Sequence, residues 1–241
     1  NQYNDSLMHY DRAQKTLENT DNYLAIAAIG LNRAHVLTEM NRFDEAVQCF
    51  ELTKEHCERH GMELWAAMAD RGISHMHFMR GNYSTSLRIL EQVRQKHEKL
   101  DDARRVGLCD MDRAEIYLEL NLFEDAVKNA SRAFETFERL GNRYEAGKCL
   151  TYQGIAEFKL LNDKDAEKAF MSAREIFLKE GNEVWVAVLD LWRAQLLIRQ
   201  QQFSTAQELA QHSAEIFEKQ QVPARAANPL LRRFPVARVL D

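Results

Sequence analysis

Histidine and cysteine supply the first residues able to do chemistry: His56 and His60 stand four apart, with Cys49 and Cys57 nearby in sequence. On a helix that spacing brings two imidazoles to one face, the way a divalent metal such as zinc is held. Cys57 does not share the stripe well, and the pair reads as polar residues of a solvated helix end. His75 and His77 are two apart and point in different directions. Asp110 with Arg113 and Asp190 with Arg193 are three apart. That spacing predicts ion pairs within a helix, worth about 0.2–0.5 kcal/mol each. No GxGxxG, phosphate-binding loop, HExxH or GxSxG occurs. No catalytic residue, metal ligand or cofactor is therefore expected, and the chain reads as a non-enzyme.

The elements that would position these residues are set by a 40-residue period. One column is Tyr3, Phe43, Tyr83, Phe123, Asp163 and Phe203, followed three places on by Ser6, Ala46, Ser86, Ala126, Ala166 and Ala206. Self-similarity at such a period marks a solenoid of stacked units. Each unit reads as two amphipathic helices. Gly147, Leu150, Gly154 and Phe158 form the stripe of one, and Ala166, Phe170, Ala173 and Phe177 that of the next. Gly181 follows where a left-handed C-terminal cap would sit, in the column Asp21, Gly61, Asp101, Gly141, Gly181 and Gln221. The columns Ala27, Ala67, Gly107, Gly147, Ala187 and Ala34, Ser74, Ala114, Gly154, Ala194 are small throughout, which predicts close helix crossings. Leu17, Cys57, His97, Phe137, Phe177 and Phe217 fill the far end of each second helix, and Trp65 and Trp185 share a column at helix starts. Both tryptophans are assigned to packing. Thr53 and Val93 depart from a column otherwise Ala or Ser, and Asp163 loses the aromatic, which predicts a looser turn there.

Hydrophobic residues make up 45% and charged residues 29%, while nine Gly and three Pro leave little room for a β-rich or disordered chain. With Lys+Arg 32 against Asp+Glu 37 the net charge is −5 and no block of five like charges occurs, which argues against nucleic acid as a partner. No apolar run of 18 residues exists, and Asn1-Gln2-Tyr3 does not open a signal peptide. Membrane is not an expected partner. The cysteines form no CxxC pair, and Cys109 and Cys149 share a column as small packing residues, so a reducing, cytoplasmic location is expected.

The segment from Ala114 to Ala126, continuing to Ala133, resembles a tetratricopeptide (TPR) repeat: small, aromatic, turn, aromatic, small, small. The resemblance covers roughly residues 1–219, with helices longer than the usual 34-residue repeat allows and without the proline that often ends the second helix. It implies an all-α, right-handed α-solenoid of antiparallel helix pairs. A lone second helix is expected at 1–20, then repeats at about 22–60, 62–100, 102–140, 142–180 and 182–219, with 220–241 a Pro- and Arg-containing tail or linker, or a ligand for the groove. In the family the first helix of each pair lines a concave groove that binds polypeptide. Carried over, the lining residues are Leu31, His35, Arg71, His75, Phe78, Met111, Glu115, Lys148, Thr151, Phe158, Leu191, Gln195 and Ile198. Only Arg71 among the matching pairs keeps a fixed positive charge, which argues against a clamp for acidic chaperone tails. The resemblance implies a protein-protein interaction scaffold within a longer regulatory protein, whose partner is another protein or a segment of the same polypeptide. The alternative is a sensor array fused to an effector such as a caspase-like protease or an ATPase switch.

Overall fold

A computed structural model describes residues 2–17 and 20–220. The tail beyond 220 lies outside the described residues. The described chain is all-α, a TPR-like solenoid of consecutive helices: α1 (Gln2–Leu17), α2 (Tyr23–Glu39), α3 (Phe43–Arg59), α4 (Glu63–Met79), α5 (Tyr83–Lys99), α6 (Ala103–Glu119), α7 (Phe123–Arg139), α8 (Arg143–Lys159), α9 (Asp163–Lys179), α10 (Glu183–Arg199) and α11 (Phe203–Lys219). From α2 onward each helix has 17 residues, so starts recur every 20. The described chain divides into two compact units, the first ending at Ile116 and the second beginning at Tyr117.

Turn chemistry sets this regularity. The expected column supplies left-handed residues between second and first helices: Gly61, Asp101, Gly141 and Gly181, with φ from 54° to 71°. A second column does the same within each pair, at Asn41, Gly81, Asn121, Leu161 and Gln201, with φ from 58° to 76°. The N–H of Gly61 donates to the Glu58 carbonyl (3.3 Å) and that of Met62 to the Cys57 carbonyl (2.9 Å), which closes α3 with two otherwise orphaned carbonyls satisfied. Leu161 is the residue least suited to such a backbone, since its Cβ crowds the following carbonyl. The turn at Asp163 is nevertheless as tight as the others: φ of Leu161 is 66° and the N–H of Asn162 reaches the Glu157 carbonyl at 2.9 Å.

Close crossings follow from the small residues. A Cβ on Gly72 would come within 2.4 Å of the Phe50 ring, one on Gly154 within 2.6 Å of Phe170 and one on Gly147 within 2.8 Å of Phe177. The departure at Thr53 is absorbed in the same way, because Gly30 leaves room for its side chain. In the first unit Leu31, Leu37, Phe50 and Met76 share one core cluster, while Leu90, Val93, Cys109 and Ile116 share another. In the second, Phe137, Tyr152, Phe170, Phe177 and Trp192 are almost wholly buried. Trp185 stacks on Phe177 at 5.1 Å and donates to the Tyr144 hydroxyl at 3.1 Å, while Trp65 packs against two core clusters of the first unit.

Charged residues also serve the helix packing. Asp190, fully buried, accepts from Arg174 at 2.8 and 3.2 Å, Asp110 from Arg94 at 2.9 Å, and Asp70 from Lys54 at 2.8 Å. Each partner lies 16 residues earlier, on the preceding second helix. The spacing of three is met where Asp190 reaches Arg193 at 3.4 Å, but Arg174 on the neighbouring helix comes closer, and Arg113 also pairs across helices with Glu91. Between α7 and α8 the equivalent positions are Phe134 and Leu150, both apolar, and between α1 and α2 they are Gln14 and Gly30, so the charge is lost from both members of the pair together.

Candidate partner-binding walls

The first helices carry the proposed lining, and each unit presents its own set. In the first unit, α2, α4 and α6 hold Leu31, His35, Arg71, His75, Phe78, Met111 and Glu115. Leu31, Phe78 and Met111 are buried and offer no surface to a partner. His35 and His75 are exposed, Arg71 and Glu115 half-buried. The His35 ring meets the edge of Phe50 at 5.3 Å. Burial, followed by the charges of Arg71 and His75, holds its pKa below the ordinary histidine range. His35 is therefore favoured as the neutral ring at pH 7.

Arg71, the one fixed cation of the first unit's lining, is engaged by a residue outside the lining column. Its guanidinium forms a two-pronged bond to Asp112, Nε to Oδ2 at 2.6 Å and Nη2 to Oδ1 at 2.9 Å. Burial opposes the charge, but Asp112 outweighs it and holds the arginine protonated. The pair ties α4 to α6 and leaves this wall without an uncompensated arginine. Asp112 lies one position after the lining column, a signal visible only once the two inner helices are in register.

In the second unit, α8 and α10 hold Lys148, Thr151, Phe158, Leu191, Gln195 and Ile198. Thr151 is fully buried and donates to the Gly147 carbonyl at 2.8 Å, and Leu191 is buried too. Lys148, Phe158 and Gln195 are half-buried and Ile198 exposed. Phe158 has its face covered: the Arg199 guanidinium sits 3.9 Å above the ring centroid and donates to the Phe158 carbonyl at 3.0 Å, while Trp192 meets the ring at 5.9 Å. Arg199 also pairs with Asp163. The loss of the aromatic at Asp163 is thus matched by an arginine that caps the neighbouring phenylalanine.

His56 and His60 do come together, with ring centroids 4.8 Å apart, but Tyr23 occupies the space: its ring stacks on His60 at 3.7 Å and its carbonyl lies 3.1 Å from His56 Nε2. Among the described residues no three His, Cys, Asp or Glu side chains converge as a metal site, and no helix is long and apolar enough to cross a membrane. The four cysteines are buried thiols, and burial pushes that of Cys109 up to about 12.

No protein-family profile and no curated protein matches this sequence. Solved structures do match. BtubC from P. vanneervenii aligns with a TM-score of 0.76 over 92% of this chain and 93% of its own, at 13% identity. A Rap protein crystallised with the competence and sporulation factor aligns at 0.71 over 97% of this chain and 69% of its own, at 14% identity. A signal-transduction ATPase with a tetratricopeptide repeat sensor, from Pyrococcus horikoshii, aligns at 0.72 and 17% identity over 94% of this chain, which spans 35% of that protein. The fold is that of TPR-type repeat proteins.

Proposed function

We propose that this chain is a non-enzymatic protein-interaction scaffold in the cytoplasm, whose first helices bind a polypeptide segment from another protein or from the same polypeptide. One observation carries the reading. The small columns at the helix crossings keep their residue type from repeat to repeat, whereas the column of His35 changes: His35, His75 and Glu115 in one unit, Ile155 and Gln195 in the other, reaching solvent at all but Ile155. A surface free of packing constraint whose chemistry changes along the array is where a solenoid reads an extended ligand. The net charge and its mixed distribution favour polypeptide over nucleic acid or anionic membrane. The likeness to a Rap protein crystallised with a named factor supports a peptide ligand.

The test uses exposed residues, because Arg71→Glu would break the pair to Asp112 and report on folding as well. A displayed peptide library is selected against the wild-type chain, and enriched peptides are measured against His35→Glu/His75→Glu, Lys148→Glu/Ile198→Asp and the second-helix control Leu52→Ser/Glu55→Lys. Loss of at least about tenfold in affinity, roughly 1.4 kcal/mol, is expected in one or both first-helix variants and not in the control. Peptides that bind all four proteins equally would remove the reading.

A second reading, a sensor array within a larger switch protein whose effector is an ATPase or a caspase-like protease, is favoured by the likeness to the sensor-bearing ATPase. It predicts that the peptide selected above changes the activity of an effector encoded in the same gene.

A further inference from the structure

His97 stands where the repeat places an apolar ring or thiol. Its column runs Cys57, His97, Phe137 and Phe177, and all four side chains are buried, none more than 1% exposed. In the second unit this slot is apolar: Phe177 lies against Gly147, stacks on Trp185 and meets the edge of Tyr144. His97 sits in the slot on α5 with neither ring nitrogen within reach of a hydrogen-bond partner. A neutral imidazole carries one N–H, and leaving it unpaired in the interior costs about 1–3 kcal/mol. The slot accepts a histidine only as an imperfect phenylalanine.

The charged groups that act on the ring are already engaged. Asp102, in the turn that follows, receives the Arg105 guanidinium at 2.6 Å and the Arg105 backbone N–H at 3.1 Å. Arg105, on α6, also reaches the Met68 sulfur at 3.2 Å. Arg71, on α4, is held by Asp112, and Lys96, beside His97 on α5, by Asp70 at 2.9 Å. Of the charged groups that act on the ring, three are cations, each already met by a carboxylate, and Asp102 itself holds Arg105. Burial, set against Asp102 and reinforced by Arg105, Arg71 and Lys96, keeps the ring neutral in the folded state.

We propose that His97 is an acid-sensitive switch confined to the first unit, which on protonation leaves its slot for the Asp102 carboxylate and opens the packing of α5 against α4 and α6. The direction follows from linkage. The folded chain binds the His97 proton less readily than the unfolded chain, whose histidine titrates near about 6.5. The packing is therefore fully present above that pH and is lost as pH falls below it. Asp102 is the natural acceptor, because the turn binds it to His97 already: its N–H donates to the His97 carbonyl at 3.0 Å. The second unit holds Phe137 and Phe177 in the slot and has no equivalent response.

Hydrogen exchange of the whole chain at about pH 7.5 and about pH 5.0, corrected for intrinsic rates, reads both units at once. Protection across α5 and the start of α6 is expected to fall severalfold more on acidification than protection across α9 and α10. In His97→Phe and in His97→Gln, which is neutral at both pH values, that excess should vanish. An excess loss that persists in either variant, or a wild-type chain whose two units respond alike, overturns the proposal. Should neither variant fold, NMR titration of the wild-type ring decides: a midpoint below the ordinary range, coincident with the rise in exchange, supports the switch, and an ordinary midpoint overturns it.

Discussion

At the scale of single residues the molecule treats charge as a packing element. Asp190 is fully buried with Arg174 over it, and one repeat earlier the same two places are Leu150 and Phe134. Removing one member of a buried pair strands the other and costs about 3–5 kcal/mol, whereas replacing both with apolar groups is often neutral or better. Arg174 is partly exposed, so the smaller end of that range applies to it. Asp190→Leu alone, which strands Arg174, is expected to destabilise by about 3 kcal/mol, and Arg174→Phe/Asp190→Leu to recover most of the loss. Urea unfolding of the two variants and the wild type checks this, and a double variant no better than the single would refute it. The partnership was present in the sequence as a spacing of 16, yet it could not be recognised there: the helix rule favours partners three or four apart, and only the antiparallel register makes a residue 16 away a neighbour. Asp112 escaped for the same reason, since nothing local ties it to Arg71.

At the scale of the helix, legibility was greater. Apolar stripes of period 3.6 and turn residues every 40 set where second helices stop, and Gly61, Asp101, Gly141 and Gly181 take the left-handed backbone their types allow. The column within each pair was harder to read, because Leu161 and Gln201 are not turn residues by type, yet each takes the same φ as Asn41 and Asn121. Leu161 carries both a strained backbone and a side chain 71% exposed. Leu161→Asn is expected to raise stability by about 0.5–1 kcal/mol, seen as a higher urea midpoint at unchanged slope; a lower midpoint would show that the leucine contributes a contact of its own. Lining positions were the least legible. A first helix packs against more than one neighbour, so its buried stripe is wider than the pattern suggests, and Leu31, Met111, Thr151 and Leu191 fall inside it.

At the scale of the whole molecule, each repeat touches mainly its neighbours, and damage should stay local and fade with distance. Gly154→Ala forces a methyl into the Phe170 ring and is expected to cost about 1–3 kcal/mol. Exchange protection should drop most in α8 and α9, less in α10 and least in α11; a uniform drop across these helices would mean that the second unit unfolds in one step. The equal length of the helices has a consequence for how such a chain changes over time. Because both kinds of turn take the same left-handed backbone and starts recur every 20 residues, an in-frame duplication or loss of one 40-residue period leaves both flanking joints chemically unaltered. Inheritance can therefore lengthen or shorten the reading surface by whole words without rewriting the grammar that joins them.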